Sequence, residues 1–140
     1  MNGGGKYRVF ISHGWADRWL ASQIDRRLRE QGVDTFIDIT HIGSGDEIEG
    51  RIFSEMPKCD EVLALFTPWS VDRNWVWVEL GAARALGKRV VAVLYEVSLA
   101  TIEADKGGTT FLRSRNVVDI NGIEAYFRDV AIRADRGSND

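Results

Sequence analysis

Short β-forming runs alternate with segments of helical periodicity along most of this 140-residue chain, and that alternation limits the fold more than any other feature. The β-forming runs are "YRVFIS" (7–12), "VDTFID" (33–38), "EVLALF" (61–66), "RVVAVLY" (89–95) and "NVVDI" (116–120). After the first comes "WADRWLASQIDRRLREQG", where Leu20, Ile24 and Leu28 recur at i+4 and Gly32 stands where a helix C-terminal glycine belongs. "DEIEGRIFSEM" places Ile48, Ile52 and Met56 on one face, and Pro57 stops it. "NWVWVELGAARAL" (74–86) ends at Gly87, and "GIEAYFRDVAIRA" turns Ile123, Phe127, Val130 and Ala134 inward. The stretch 97–115 is poorly patterned and reads as a long loop with a short helix in it. Alternation of this kind predicts a parallel sheet with helices on both faces, because each right-handed crossover must return over the sheet. For five strands the commonest doubly wound order is 2-1-3-4-5, the flavodoxin-like α/β arrangement.

The length suits one domain with a real core. Residues 1–6, "MNGGGK", read as a flexible lead-in, 7–134 as the domain and 135–140 as a frayed tail. A net charge of −3 and a pI near 5.4 argue against a non-specific electrostatic grip on nucleic acid or anionic lipid, so neither is an expected partner. Cys59 is the single cysteine, which rules out an internal disulfide and fits a cytoplasmic protein. No apolar run approaches the length of a membrane span. His13 and His41 stand far apart without an H-x-x-x-H, so no zinc site is expected. Of the five tryptophans, Trp19 is expected to serve core or surface packing alone.

In doubly wound sheets ligands bind beyond the carboxyl ends of the strands where the order reverses, here between the first and third strands. The first is followed by "SHGWAD", the third by "TPWSVDRNWVWVE". Glu79 therefore falls early in the helix leaving this point, in the company of tryptophans and alanines. Trp75 lies four residues before it on the same stripe, beside a stripe of Val76, Leu80 and Ala83 that should face the core. Two readings of Glu79 stay open: a carboxylate that favours the helix dipole, or a functional group at the edge of the cleft. Ser12 beside His13 is not a nucleophile–base pair, because adjacent strand residues point to opposite faces. "HIGSGDE" holds G-x-G without the rest of a dinucleotide fingerprint and follows the second strand, so it reads as a turn. A phosphoacceptor receiver domain shares the alternation but needs acidic residues after the first strand and an aspartate ending the third. Asp38 ends the second instead.

Taken together, "VFISHGWAD", "GVDTFIDITHIGSGDEIEGRI" and "WVWVEL" resemble, in order, the first box, the second strand with its BB loop, and the W-x-x-x-E of a Toll/interleukin-1 receptor (TIR) domain of the prokaryotic NAD-cleaving type. The resemblance covers about residues 7–95. It implies that Glu79 is the catalytic glutamate and Trp75 its tryptophan neighbour. It also implies that Ser12, His13, Gly14 and Trp15 border the nucleotide, and that Asp38, Ile42 and Gly43 belong to the segment gating the site. NAD+ would be the substrate, with no metal and no separate cofactor. Self-association through the BB loop, Ile39–Glu47, would complete the site, and a separate sensor or effector protein would trigger it, as in antiphage defence. Some active relatives carry an arginine where this chain has Gly14 or Trp15, and the arginine–aspartate and proline–glycine pattern of animal receptors is absent. The alternatives are a non-catalytic TIR–TIR interaction module, with the same surfaces binding another TIR domain, and an enzyme akin to nucleoside deoxyribosyltransferases.

Overall fold

A computed structural model describes residues 6–37, 50, 52–70, 74–100 and 116–138, the side chains of 74, 75, 137 and 138 excepted. Five parallel strands form one sheet: β1 (Arg8–Ser12), β2 (Asp34–Ile37), β3 (Glu61–Phe66), β4 (Arg89–Leu94) and β5 (Val117–Asp119). Their order is β2-β1-β3-β4-β5, the order expected from the sequence. Strand β3 is buried along its whole length, as a central strand covered on both faces must be.

Alternation along the strands sorts side chains between two layers. Val9 and Ile11 of β1, Leu63 and Leu65 of β3, and Val91 and Val93 of β4 face α1 (Arg18–Glu30) and α3 (Ile123–Ser138). From α1 the core takes Ala21, Ile24 and Leu28; from α3 it takes Tyr126, Phe127, Val130 and Ala134. The opposite parity faces α2 (Asn74–Ala85). Ala64, Phe66, Ala92 and Leu94 pack there on Val76 and Leu80, and Phe10, Met56 and Val62 pack with Ala83. Val76, Leu80 and Ala83 are fully buried, as their stripe predicts.

Two helix ends confirm the glycine signals. Gly32 and Gly87 take positive φ, 81° and 71°, a region open to glycine without steric cost. In both, the following amide closes the turn back to the helix, Val33 N to Leu28 O at 3.1 Å and Lys88 N to Ala83 O at 2.9 Å.

Several boundaries differ from expectation. Trp15–Asp17 form a 3-10 turn before α1 begins. Residues 52–54 are helical, but the chain turns at Glu55 into a 3-10 turn, Met56–Lys58, with Pro57 inside it. Helix α3 runs on to Ser138, so residues 135–138 are helical rather than tail. Trp19 is 71% exposed and so contributes nothing to the core. Of the stretch 97–115, expected to be a loop with a short helix, residues 101–115 lie outside the described residues. No described helix is long and apolar enough to cross a membrane.

The run "EVLALF" hides a carboxylate. Glu61 opens β3 and is fully buried on the α3 side. It accepts hydrogen bonds from Tyr7 Oη and Tyr126 Oη, both at 2.6 Å, and from Arg133 Nη2 at 2.8 Å. Desolvation, then the neighbouring Glu61 charge, pushes both phenols well above the ordinary tyrosine range. Burial likewise pushes the Cys59 thiol up to about 11.

Arg133 is the cation of this cluster, with a side chain only 23% exposed, so Arg133→Met leaves a buried carboxylate without its ion-pair partner. Loss of about 3 kcal/mol is expected in urea unfolding at neutral pH, the low end for breaking a buried pair. Alkaline pH should also destabilise. The thiol and both phenols stay protonated longer in the folded chain than in the unfolded one. The unfolded state therefore loses protons first, so stability holds below pH 9 and falls as pH rises, through the Cys59 window from 9.0 to about 11 and, for the tyrosines, above 10.0. The urea midpoint followed against pH checks this, and Cys59→Ala should remove the part that begins near pH 9.

Candidate active site

The sheet order reverses between β1 and β3, and the groups at their carboxyl ends define the site. Ser12 is the last residue of β1 and pairs in register with Ala64. It shares parity with Phe10, so its side chain points to the α2 layer, at a place where the pattern would otherwise call for an apolar residue. Glu79 is the sixth residue of α2, past the first turn. Both are 1% exposed, and Ser12 Oγ donates a 2.6 Å hydrogen bond to Glu79 Oε1. The helix-dipole reading of Glu79 thus gives way: the carboxylate turns inward onto β1 instead of lying at an exposed first turn.

The loop after β1 continues the wall. His13 is 7% exposed and its Nδ1 lies 2.8 Å from Gly14 O; a carbonyl only accepts, so Nδ1 carries the proton. Trp15 is half-buried, with the Arg18 guanidinium 3.9 Å over its ring and Arg18 Nη1 donating to Trp15 O.

A buried polar clasp ties this loop to the one leaving β3. Asp17 Oδ2 accepts from Thr67 Oγ1 at 2.8 Å, and Thr67 N donates to Ser70 Oγ at 2.9 Å. Ser70 Oγ in turn donates to Leu65 O. Gly14 completes the fit by its size, since a Cβ there would stand 3.0 Å from Ser70 Cβ. Sequence reasoning quoted Asp17 and "TPWS" without giving them this part. The available signal was an acidic residue and two small hydroxyl residues at the exits of the two strands that flank the switch point.

The structure brings Ser12 together with Glu79 and sets His13, Gly14 and Trp15 in the adjoining loop. Asp38, Ile42 and Gly43, with the whole Ile39–Glu47 loop, lie outside the described residues, as does the side chain of Trp75. Trp77, which sequence reasoning passed over, is half-buried and packs its ring on Phe66 at 4.8 Å between centroids. Among the described residues no group of three His, Cys, Asp or Glu side chains is placed to hold a metal. A recess of about 400 Å³ does exist between β4, β5 and α3, lined by Tyr126, Asp129 and Arg133 among others. It lies on the other face of the sheet from Glu79 and away from the reversal point.

Comparison with known proteins agrees with this architecture. A family model described as TIR domain matches residues 9–131. A curated relative, the probable 2' cyclic ADP-D-ribose synthase BdTIR of Brachypodium distachyon, is 30% identical over 97 residues, which is 68% of this chain and 43% of that protein. The chain thus spans less than half the length of that relative. Among solved structures, the TIR domain of the Toll-related receptor TRR-2 from Hydra magnipapillata is similar with a TM-score of 0.61 and 19% identity, over 89% of this chain and 94% of that one. A 2-desoxiribosyltransferase from Leishmania mexicana is similar with a TM-score of 0.63 and 18% identity, over 86% and 96%. At such identities these two structures speak to the fold alone. The family model spans nearly the whole sheet and the site built on it, and the chain belongs to the TIR domain family.

Proposed function

We propose that this chain cleaves the bond between nicotinamide and ribose in NAD+, with Glu79 as the catalytic carboxylate. The observation that carries the reading is a glutamate buried to 1%, on the helix leaving the switch point, whose Oε1 is held by the Ser12 hydroxyl. The product named for the Brachypodium relative, a cyclic ADP-ribose, supports the same substrate.

The chemistry suits a single carboxylate. Ordinary glycoside hydrolysis needs a second one to protonate the departing oxygen. The nicotinamide of NAD+ is a pyridinium cation, so it leaves as a neutral base and takes no proton. What it leaves behind is a ribose with oxocarbenium character. Glu79, aimed at that ribose, stabilises the developing positive charge and accepts hydrogen bonds from its hydroxyls. A site poor in water strengthens this attraction. The acceptor then sets the product: water gives ADP-ribose, a hydroxyl or ring nitrogen of the same molecule gives a cyclic form, and another base gives exchange. Trp75 supplies a flat apolar wall for a ring of the substrate, and the Ile39–Glu47 loop of a neighbouring copy closes the site. The activity would deplete NAD+ or make a nucleotide signal in bacterial defence.

Release of nicotinamide from NAD+, followed by chromatography at high protein concentration with and without a crowding agent, tests this. Glu79→Gln and Glu79→Ala should each lower kcat by about 100-fold or more, the scale for removing a main electrostatic stabiliser of the transition state. Both must remain folded by circular dichroism. Turnover unchanged in both variants would reassign Glu79, and no turnover by the wild type in any assembled state would leave a non-catalytic interaction module.

A further inference from the structure

We propose that Ser12 is the positioning residue for Glu79, fixing the aim of its carboxylate at the carboxyl ends of β1 and β3; this rests on the functional reading above. Three features of the structure support it. The contact is a 2.6 Å hydrogen bond between two side chains each 1% exposed. Ser12 is held by the sheet itself, in the β1–β3 register opposite Ala64, so its hydroxyl sits on a rigid element. The loop that follows is pinned in turn by the Asp17–Thr67–Ser70 clasp.

The chemistry follows from the direction of the bond. A carboxylate can only accept, so the single hydroxyl proton of Ser12 is committed to Glu79 Oε1. Donation to the charged form favours that form and opposes the effect of burial, Glu79 being 1% exposed. A glutamate side chain also has three rotors, and a fixed donor removes most of their freedom. Ser12 therefore acts as an orienting hydroxyl and not as a nucleophile.

Other charges facing Glu79 bear on the same equilibrium. On the strands against which α2 packs, the described titratable groups are Arg8, Glu61 and Arg89, at the far end of the sheet. Nearer the carboxyl ends are His13, Asp17 and Tyr95, and α2 itself carries Arg84. With these groups nearby, the Glu79 carboxyl is read directly.

The test pairs kinetics with ¹³C NMR titration of the Glu79 carboxyl, assigned by its absence in Glu79→Gln. Ser12→Ala should lower kcat by about 10- to 100-fold, the cost of a misaimed catalytic group. Its KM should stay within about threefold, since substrate binding as such is not removed. The carboxyl midpoint should rise by about one pH unit, as loss of a donor to the charged form requires. Ser12→Thr, which keeps the hydroxyl, should restore most of both. If Ser12→Ala does not fold, Ser12→Cys, with similar bulk and a weak donor, is read in the same way. A folded Ser12→Ala whose kcat and carboxyl midpoint both match the wild type overturns the assignment. So does a fall in kcat with the midpoint unmoved and no rescue by threonine. Turnover lost in Glu79→Gln but kept in Ser12→Ala sinks the Ser12 assignment alone, whereas turnover kept in Glu79→Gln sinks the functional reading beneath it.

Discussion

Burying a carboxylate is costly, and among the described residues Glu61 and Glu79, the two most deeply buried, are handled in contrasting ways. An ionised carboxyl group taken out of water must be met by donors or by a cation. Glu61 is met by all of these at once: two phenols and the Arg133 guanidinium converge on it. A group so fully engaged is structural, clamping the start of β3 to α3 and to the residue before β1. Glu79 is handled differently. The donor at its Oε1 is the neutral hydroxyl of Ser12 at the end of β1, which fixes where that oxygen lies. The two sites lie on opposite faces of the sheet and at opposite ends of its strands. The first ties α3 and Tyr7 to the start of β3, and the second fixes one carboxylate oxygen at the end of β1.

Topology explains why the second site lies where it does. Because β1 and β3 are neighbours whose crossovers run in opposite directions, the loops after them leave in different directions, the place where sheets of this order bind ligands. The Asp17–Thr67 hydrogen bond and the close approach of Gly14 to Ser70 limit how far they part. Small residues at these positions are therefore as much a part of the site as Glu79. The catalytic proposal rests on this rigid base.

Much of this architecture is legible in the sequence, for identifiable reasons. Periodicity marks every strand of the sheet, and Gly32 and Gly87 end their helices with the left-handed geometry that glycine allows. Glu79 stands out because a carboxylate among alanines and tryptophans breaks the local pattern. Glu61 does not stand out, because one charge at the head of an apolar run resembles a strand end facing water. Only three-dimensional packing brings Tyr7 and Arg133, more than a hundred residues apart in the chain, onto the same oxygen atoms. The role of Asp17 is hidden for the same reason: its partner Thr67 follows a different strand.

The most direct test of the central claim is where the ribose goes. A crystal structure with a carbocyclic, non-cleavable NAD+ analogue would locate it. The account predicts the ring carbon that bears the nicotinamide about 3.5 Å from a Glu79 carboxylate oxygen, the distance of a reacting pair poised for chemistry. The analogue bound elsewhere, on the α1–α3 face or in the recess beside Arg133, with Glu79 still closed against Ser12, would contradict it.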